Sequence, residues 1–337
     1  MDLFTQAVLG GALAQSAMRR TERTIATVAG LLAGVLADAD ILIRSATDPL
    51  LTLEYHRHFT HSLIFIPLGA LLAAGLCWFL FLRRTPFLRV YLYCLLGYSM
   101  SGLLDACTSY GTHLFWPFLN ERIAWHIIAI VDPVFTLCLL TGVIASWWRG
   151  SVMPARIALA LCIVYLGLGA LQLQRAEDRM FALAESRGHS VERQMVKPTL
   201  GNLLLWRSVY LHDGDYYTDA IRTGLTEVNV YQGQRVRAFE PSRDLNGFDE
   251  DSVQAEDVRR FQHFSDGFLT NHPLFPEIIG DIRYSMEPDG AVPLWGIEVD
   301  PAVQQFHVQY RFFREQDRDS RSRFIDMLFG RPVADRT

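Results

Sequence analysis

This sequence of 337 residues is poor in several things, and each shortage excludes a class of protein. Cysteine occurs five times, as Cys77, Cys94, Cys107, Cys138 and Cys162, and no two stand in a CxxC pair. That argues against a disulfide scaffold and against a cysteine-held zinc site. All five read as small apolar core residues. Positive charge is not in excess. The formal net charge is −5, so the footprint of a nucleic-acid binder is missing and no nucleic-acid partner is expected. There is no HExxH helix, no Walker loop, no GxSxG elbow and no GxGxxG after a strand. Ser62 or Ser101 could enter a Ser/His/Asp triad, but nothing around either marks a nucleophile. The opening residues also lack the basic start of a secretory signal, with Asp2 present and no Lys or Arg before Arg19.

The last shortage is local. Residues 1–174 hold 11 Lys+Arg and 9 Asp+Glu, whereas 175–337 hold 20 and 27. The first part reads as a transmembrane helical domain, the second as a soluble one. Windows long enough to span a bilayer recur at Ile25–Ile43, Ser62–Leu82, Phe87–Leu104, Ile127–Trp148 and Arg156–Gln172. A shorter stretch, Leu3–Met18, is rich in Gly, Ala and Ser and counts as a sixth helix. The loops sort by charge: arginines 19, 20, 23, 83, 84, 89, 149 and 156 fall in alternate loops, and only Arg44, Arg57 and Arg122 fall in the others. The positive-inside rule then puts the N-terminus and the soluble domain outside.

In that soluble domain, "NLLLWRSVYLHDGDYYTDAIR" reads as two strands about a His-Asp-Gly-Asp turn. "SVQAEDVRRFQHF" has helical spacing. "IIGDIRYSMEPDGAVPLWGIEV" and "QFHVQYRFF" read as further strands around a Pro-Asp-Gly turn. The expected fold is therefore α-helical and multi-pass over 1–174, then α+β over 175–337.

Ionisable groups near membrane depth are expensive, so function is the default hypothesis for them. Asp38, Asp40, His56, His58, His61, Asp105 and Asp132 all reach one layer at the outer face under this topology. Each alone has an ordinary reading as a loop, capping or interfacial residue. Together, imidazole nitrogens and carboxylate oxygens form a common ligand set for zinc and other divalent metals. Asp38 and Asp40 would point about 200° apart on an α-helix, so both face one site only if the helix ends near Ala37. Otherwise one binds metal while the other caps backbone or orients a histidine. His56 and His61 can converge only across a bend. Arg57 could hold an anionic substrate through paired hydrogen bonds, or pair with Glu54 or a lipid headgroup. His113 and His126 share the outer loop and read as peripheral.

The segments "MDLFTQAVLGGALAQ", "GVLADADIL", "HRHFTHSLIF", "LLDACTSYGTHLFWPF" and "IAIVDPVFTL" resemble, in this order, the bacterial YdjM/YfhP-like (DUF457) family. Its members are multi-pass inner-membrane proteins described as metal-dependent hydrolases. "KPTLGNLLLWRSVY" and "FQHFSDGF" resemble the soluble tail of the long members. The resemblance implies a ligand set. The family's Pro-Asp-x-Asp falls on residues 37–40, and its His-Arg-Gly-x-Thr/Ser-His on residues 56–61, where His58 fills the glycine position. Asp105 and Asp132 match two further motif aspartates. The family pattern also carries histidine at two positions filled here by Gln6 and Ser101.

The expectation is thus a divalent metal, zinc first among those this donor set suits, held by Asp40, His56, His61 and Asp105. Asp38 or Asp132 would serve as base and Arg57 as substrate anchor. The substrate would be an ester or phosphoester in or beside the lipid bilayer. Two other classes are open: an ion-coupled transporter, which predicts polar groups at the bilayer midplane rather than its edge, and a non-catalytic scaffold that binds a partner through the outer domain.

Overall fold

The computed structural model describes residues 1–314 and 318–334. Its first part is helical: α1 Leu3–Ser16, α2 Arg23–Leu36, α3 Leu51–Tyr55, α4 Ile66–Cys77, α5 Phe87–Tyr98, α6 Ser101–Ala106, α7 Pro133–Arg149 and α8 Met153–Ser186. With the short turns that extend them, four runs are long and apolar enough to cross a membrane: Arg20–Leu42, Leu63–Leu82, Phe87–Ala106 and Met153–Ser186. Of the six helices expected, α1 (14 residues) and α7 (17 residues) fall short of the roughly 20 residues that a hydrocarbon core needs.

Two boundaries differ from those read in the sequence. The apolar window from Ile127 becomes helix only at Pro133. Asp132 is the N-cap, its Oδ1 accepting from the Phe135 N–H at 3.0 Å, and proline takes the first helical position, where no N–H is needed. At the other end, α8 does not stop at Gln172 but runs 34 residues, to Ser186. Beyond Arg175 the helix turns amphipathic, and Ala176, Met180 and Ala184 pack on Val196, Trp206, Tyr210 and Ile221.

The chain falls into two compact units. One comprises Met1–Ile43, Tyr55–Leu171 and Leu200–Asn202; the other comprises Arg44–Glu54, Gln172–Thr199 and Leu203–Thr337. In the first, helices meet through small residues. A Cβ on Gly10 would lie 2.3 Å from the Gly30 carbonyl oxygen, and one on Gly30 would lie 2.4 Å from that of Gly10. Ala26, Ala29 and Ala33 on α2 are fully buried in the same seam. Close backbone approach replaces the hydrophobic driving force that lipid does not supply.

The second unit carries two antiparallel sheets. In the first, β1 Arg193–Pro198, β2 Leu205–His212, β3 Asp215–Thr223 and β4 Val228–Tyr231 follow in order, and β5 Arg235–Arg237 also pairs with β3. The β2–β3 hairpin turns at Asp213-Gly214, both at positive φ (50° and 74°). That is the primed two-residue turn that Asp-Gly favours. After α9 Pro241–Asp244 and α10 Val253–Phe264 comes the second sheet, β6 Leu269–Asn271, β7 Ile278–Asp281, β8 Trp295–Glu298 and β9 Gln309–Phe312 in order, followed by α11 Arg318–Leu328. Pro288-Asp289-Gly290 lies in the loop between β7 and β8 and not at a tight hairpin tip. Within this unit Arg260 gathers three carboxylates, Asp48 at 2.8 Å, Glu54 at 2.6 Å and Asp257 at 2.7 Å, which ties Arg44–Glu54 to α10.

Gly30→Val should lower the detergent-solution melting temperature sharply, because the added carbons meet backbone, at a cost of about 1–3 kcal/mol or more. Gly75→Ala, in a helix where an added Cβ meets nothing within 4 Å, should be neutral or stabilising. Equal melting temperatures for the two variants would contradict the packing described.

Candidate metal centre

The α-helix of Arg23–Leu36 gives way at Ala37 to a 3₁₀ turn, Ala37–Leu42. That is the break needed for Asp38 and Asp40 to serve one site. Both are buried. The bend between His56 and His61 is at Arg57, whose φ is +60°, a conformation uncommon for a residue with a side chain. Its cost is offset locally, since the Arg57 N–H donates to Asp40 Oδ2 at 2.8 Å. Asp105 ends α6, and Gly102 one turn earlier abuts His61: a Cβ there would lie 2.0 Å from the His61 carbonyl oxygen.

Three atoms converge in this setting. His61 Nε2 lies 3.3 Å from Asp38 Oδ1 and 3.0 Å from Asp105 Oδ2. All three residues are buried, and their ligand atoms lie within 4.8 Å of one another. None of the three atoms has a hydrogen-bond partner of good geometry among the described residues. Asp38, Asp40 and His56 form a second, overlapping group with the same ligand-atom spacing.

The hydrogen bonds around the site say what these atoms want. Asp40 Oδ2 accepts from the Thr60 hydroxyl at 2.6 Å, which uses the only proton Thr60 has. Thr60 Oγ1 is also 3.0 Å from His61 Nδ1 and can only accept there, so Nδ1 carries the proton. In neutral His61 the Nε2 lone pair then faces two carboxylate oxygens. Three electron-rich atoms in one buried space call for positive charge, of which Arg57, 3.4 Å from Asp105 Oδ2, supplies part from one side. Either a proton on Nε2 or a metal ion satisfies them, and a metal-binding histidine with its other nitrogen fixed by a hydrogen bond is the usual arrangement. Burial alone would lower the His61 pKa. The carboxylates of Asp105, Asp38 and Asp40 outweigh it and push the pKa up to about 10. The donor set therefore fits a divalent cation.

The remaining sequence-marked residues are placed as follows. His56 keeps 22 % of its side chain exposed, and its Nδ1 is 3.1 Å from Asp40 Oδ1. Arg57 is buried, donating to the Met1 carbonyl at 2.7 Å and lying 3.4 Å from Asp105 Oδ2, with its guanidinium 5.0 Å from the centre of the Tyr110 ring. Its charge is engaged inside the protein. The Met1 amine hydrogen-bonds Asp105 Oδ1. Asp132 is not brought into either ligand group: its other oxygen accepts from the Tyr165 hydroxyl at 2.9 Å. His58 packs against His113, with ring centres 4.4 Å apart and the planes tilted by 43°. Gln6 and Ser101, where the family pattern has histidine, meet in space: Gln6 Nε2 donates to the Ser101 carbonyl at 3.2 Å.

Thr60 and Tyr98 were not singled out in the sequence. Thr60 had a signal, because it stands inside the histidine motif. Tyr98, whose hydroxyl donates to the Thr60 carbonyl at 2.7 Å, had none. A third group of ligand-type atoms, Asp48, Asp257 and His307, lies in the other unit, where both carboxylates are already paired with Arg260.

Asp132→Ala removes a helix cap and takes away the partner of the half-buried Tyr165 hydroxyl, so it should cost about 1–3 kcal/mol of stability. Metal content measured on Asp132→Asn should equal that of the wild type; a variant that folds but carries less metal would put Asp132 in the site.

The pattern of one protein family, described as "YdjM inner membrane protein", matches residues 1–176. No match was found among the curated proteins or among the solved structures.

Proposed function

Because the chain belongs to the YdjM inner membrane protein family, we propose that its first unit is a membrane-embedded, metal-dependent hydrolytic centre. The observation that carries this reading is the convergence of Asp38 Oδ1, His61 Nε2 and Asp105 Oδ2, buried and without hydrogen bonds among the described residues. These three would hold the ion, and a three-ligand set of nitrogen and oxygen suits zinc with one position left open. When bound there, such an ion supplies Lewis acidity toward a carbonyl or phosphoryl oxygen and lowers the pKa of a water.

The chain's own groups divide the rest of the work. Thr60 and Asp40 fix the His61 ring so that Nε2 points at Asp38 and Asp105. Asp40 also holds His56, the one histidine of the pair with an exposed face, so His56 can take a proton from a water and return it to a leaving group. Arg57 balances Asp105 and is held too firmly to reach for substrate. A membrane-associated ester or phosphoester is the substrate class that suits a polar centre among bilayer-spanning helices. If α1 and α7 cross the bilayer along with the four longer runs, the arginine distribution puts the second unit on the periplasmic side.

Metal analysis of detergent-purified full-length protein tests the centre. Stoichiometric divalent metal is expected in the wild type, with loss in His61→Ala and Asp105→Asn and retention in His56→Ala. Hydrolysis of a model ester or phosphoester should fall by about 10²–10⁴-fold in His56→Ala. Absence of metal after metal-replete purification would sink the proposal. For the topology, a reporter fused after Thr337 should be active only in its periplasmic form; cytoplasmic activity would reverse the orientation.

A further inference from the structure

Lysine occurs once in this chain, at position 197, among 31 basic residues. Every other basic position is arginine. The exception lies on β1 of the second unit, where it is only partly exposed. Its cross-strand partner on β2 is Arg207, so two like charges would stand directly opposite each other. That pairing is unfavourable for two cations and tolerable for one cation and a neutral amine.

The surroundings repeat the message. Lys197 Nζ lies 3.8 Å from the centre of the Tyr284 ring and makes no hydrogen bond among the described residues. Arg207 is fully buried, donating to the carbonyls of Ile282, Glu287 and Pro288 at 2.8–3.1 Å, while its Nε has no hydrogen-bond partner among the described residues. Arg283 brings a second guanidinium, paired at 2.8 Å with Asp281 on β7, and Asp289, whose charge acts on Arg207, is itself paired with Arg323 at 2.5 Å. The Tyr284 ring rests against Trp295 with centres 4.4 Å apart, and the buried indole N–H of Trp295 is likewise without a hydrogen-bond partner. An amine without hydrogen bonds thus sits in a cluster with two unused buried donors and a surplus of positive charge.

We propose that Lys197 is a reactive amine that condenses with small carbonyl compounds bearing a carboxylate, using the positive surroundings of Arg207 and Arg283 to draw the anion in. Burial and then Arg207 hold the Lys197 pKa down to about 7, so a large share of the amine is neutral and nucleophilic at physiological pH. Lysine serves here where arginine could not, because the guanidinium keeps its proton and is a poor nucleophile. In the step, the nitrogen lone pair forms a C–N bond to the carbonyl carbon. The C=O π pair moves to oxygen, which takes the proton the nitrogen sheds. Loss of that hydroxyl together with the nitrogen's second proton, as water, leaves C=N, and no outside oxidant or reductant is required.

The test is trapping on the detergent-purified full chain. Glyoxylate, an anionic aldehyde, is added across a pH series, borohydride fixes the adduct, and peptide mass mapping separates Lys197 from the N-terminal amine. The expected result is modification of Lys197 with an inflection near pH 7, moving to near pH 10 once the protein is denatured. Glyoxylate should outpace propanal, a neutral aldehyde, by at least about tenfold at equal concentration, the ratio worth one pKa unit of interaction. Three outcomes overturn the proposal: an inflection near pH 10 in the folded protein, protection of Lys197 until denaturation, or equal rates for the two aldehydes. Lys197→Met should lose the adduct while keeping the wild-type melting temperature within a few degrees. Because the labelling is read on the wild type, a variant that folds poorly leaves the test intact.

Discussion

Three electron-rich atoms, on Asp38, His61 and Asp105, face one another in a largely buried space. Everything around them serves to hold that unfavourable arrangement in place. Each alone would drift toward a donor, and a single proton or cation between them turns mutual repulsion into shared attraction. The helix packing makes the convergence tight. Gly102 lets α6 lie against the His61 carbonyl, and Gly10 and Gly30 let α1 and α2 touch backbone to backbone. The left-handed turn at Arg57 swings His61 away from His56, and Asp40 secures both sides of that turn through the Arg57 N–H, Thr60 and His56.

The second unit solves a different problem with the same chemistry. Three of its arginines are matched with carboxylates: Arg283 with Asp281, Arg323 with Asp289 at 2.5 Å, Arg187 with Asp219 at 2.7 Å. Arginine suits such pairs because its fork binds a carboxylate through two hydrogen bonds. Against that background Lys197, which pairs with no carboxylate, is conspicuous, for a largely desolvated amine without a carboxylate is more comfortable neutral than charged.

Much of this was legible along the chain. The charge-poor first half, the apolar windows and the Asp-Gly turn depend on local pattern, and they correspond to helices and a primed hairpin in the structure. The family motifs drew attention to polar residues, several of which the structure brings together. What local pattern could not supply was the division of labour within it. Asp38 and Asp40 are equivalent by spacing, yet one is saturated by Arg57, Thr60 and His56 and the other keeps an open oxygen. Arg57, free to meet a substrate by sequence, is drawn inward by Asp105 and the Met1 carbonyl. Asp132, one acid among several, is taken by a helix end and by Tyr165.

By itself, the sequence determined which segments are apolar enough for lipid, where proline and glycine end or bend them, and which residue types are available to hold a metal. Those properties follow from side-chain chemistry and periods of a few residues. The tertiary structure alone decided that α8 continues past the charge boundary, because its polar stretch finds a sheet to pack on. It alone decided which atoms are left without partners. A hydrogen bond from Thr60, or a carbonyl from Met1, removes a group from the pool that can bind a ligand, and such partners come from segments far apart in the chain.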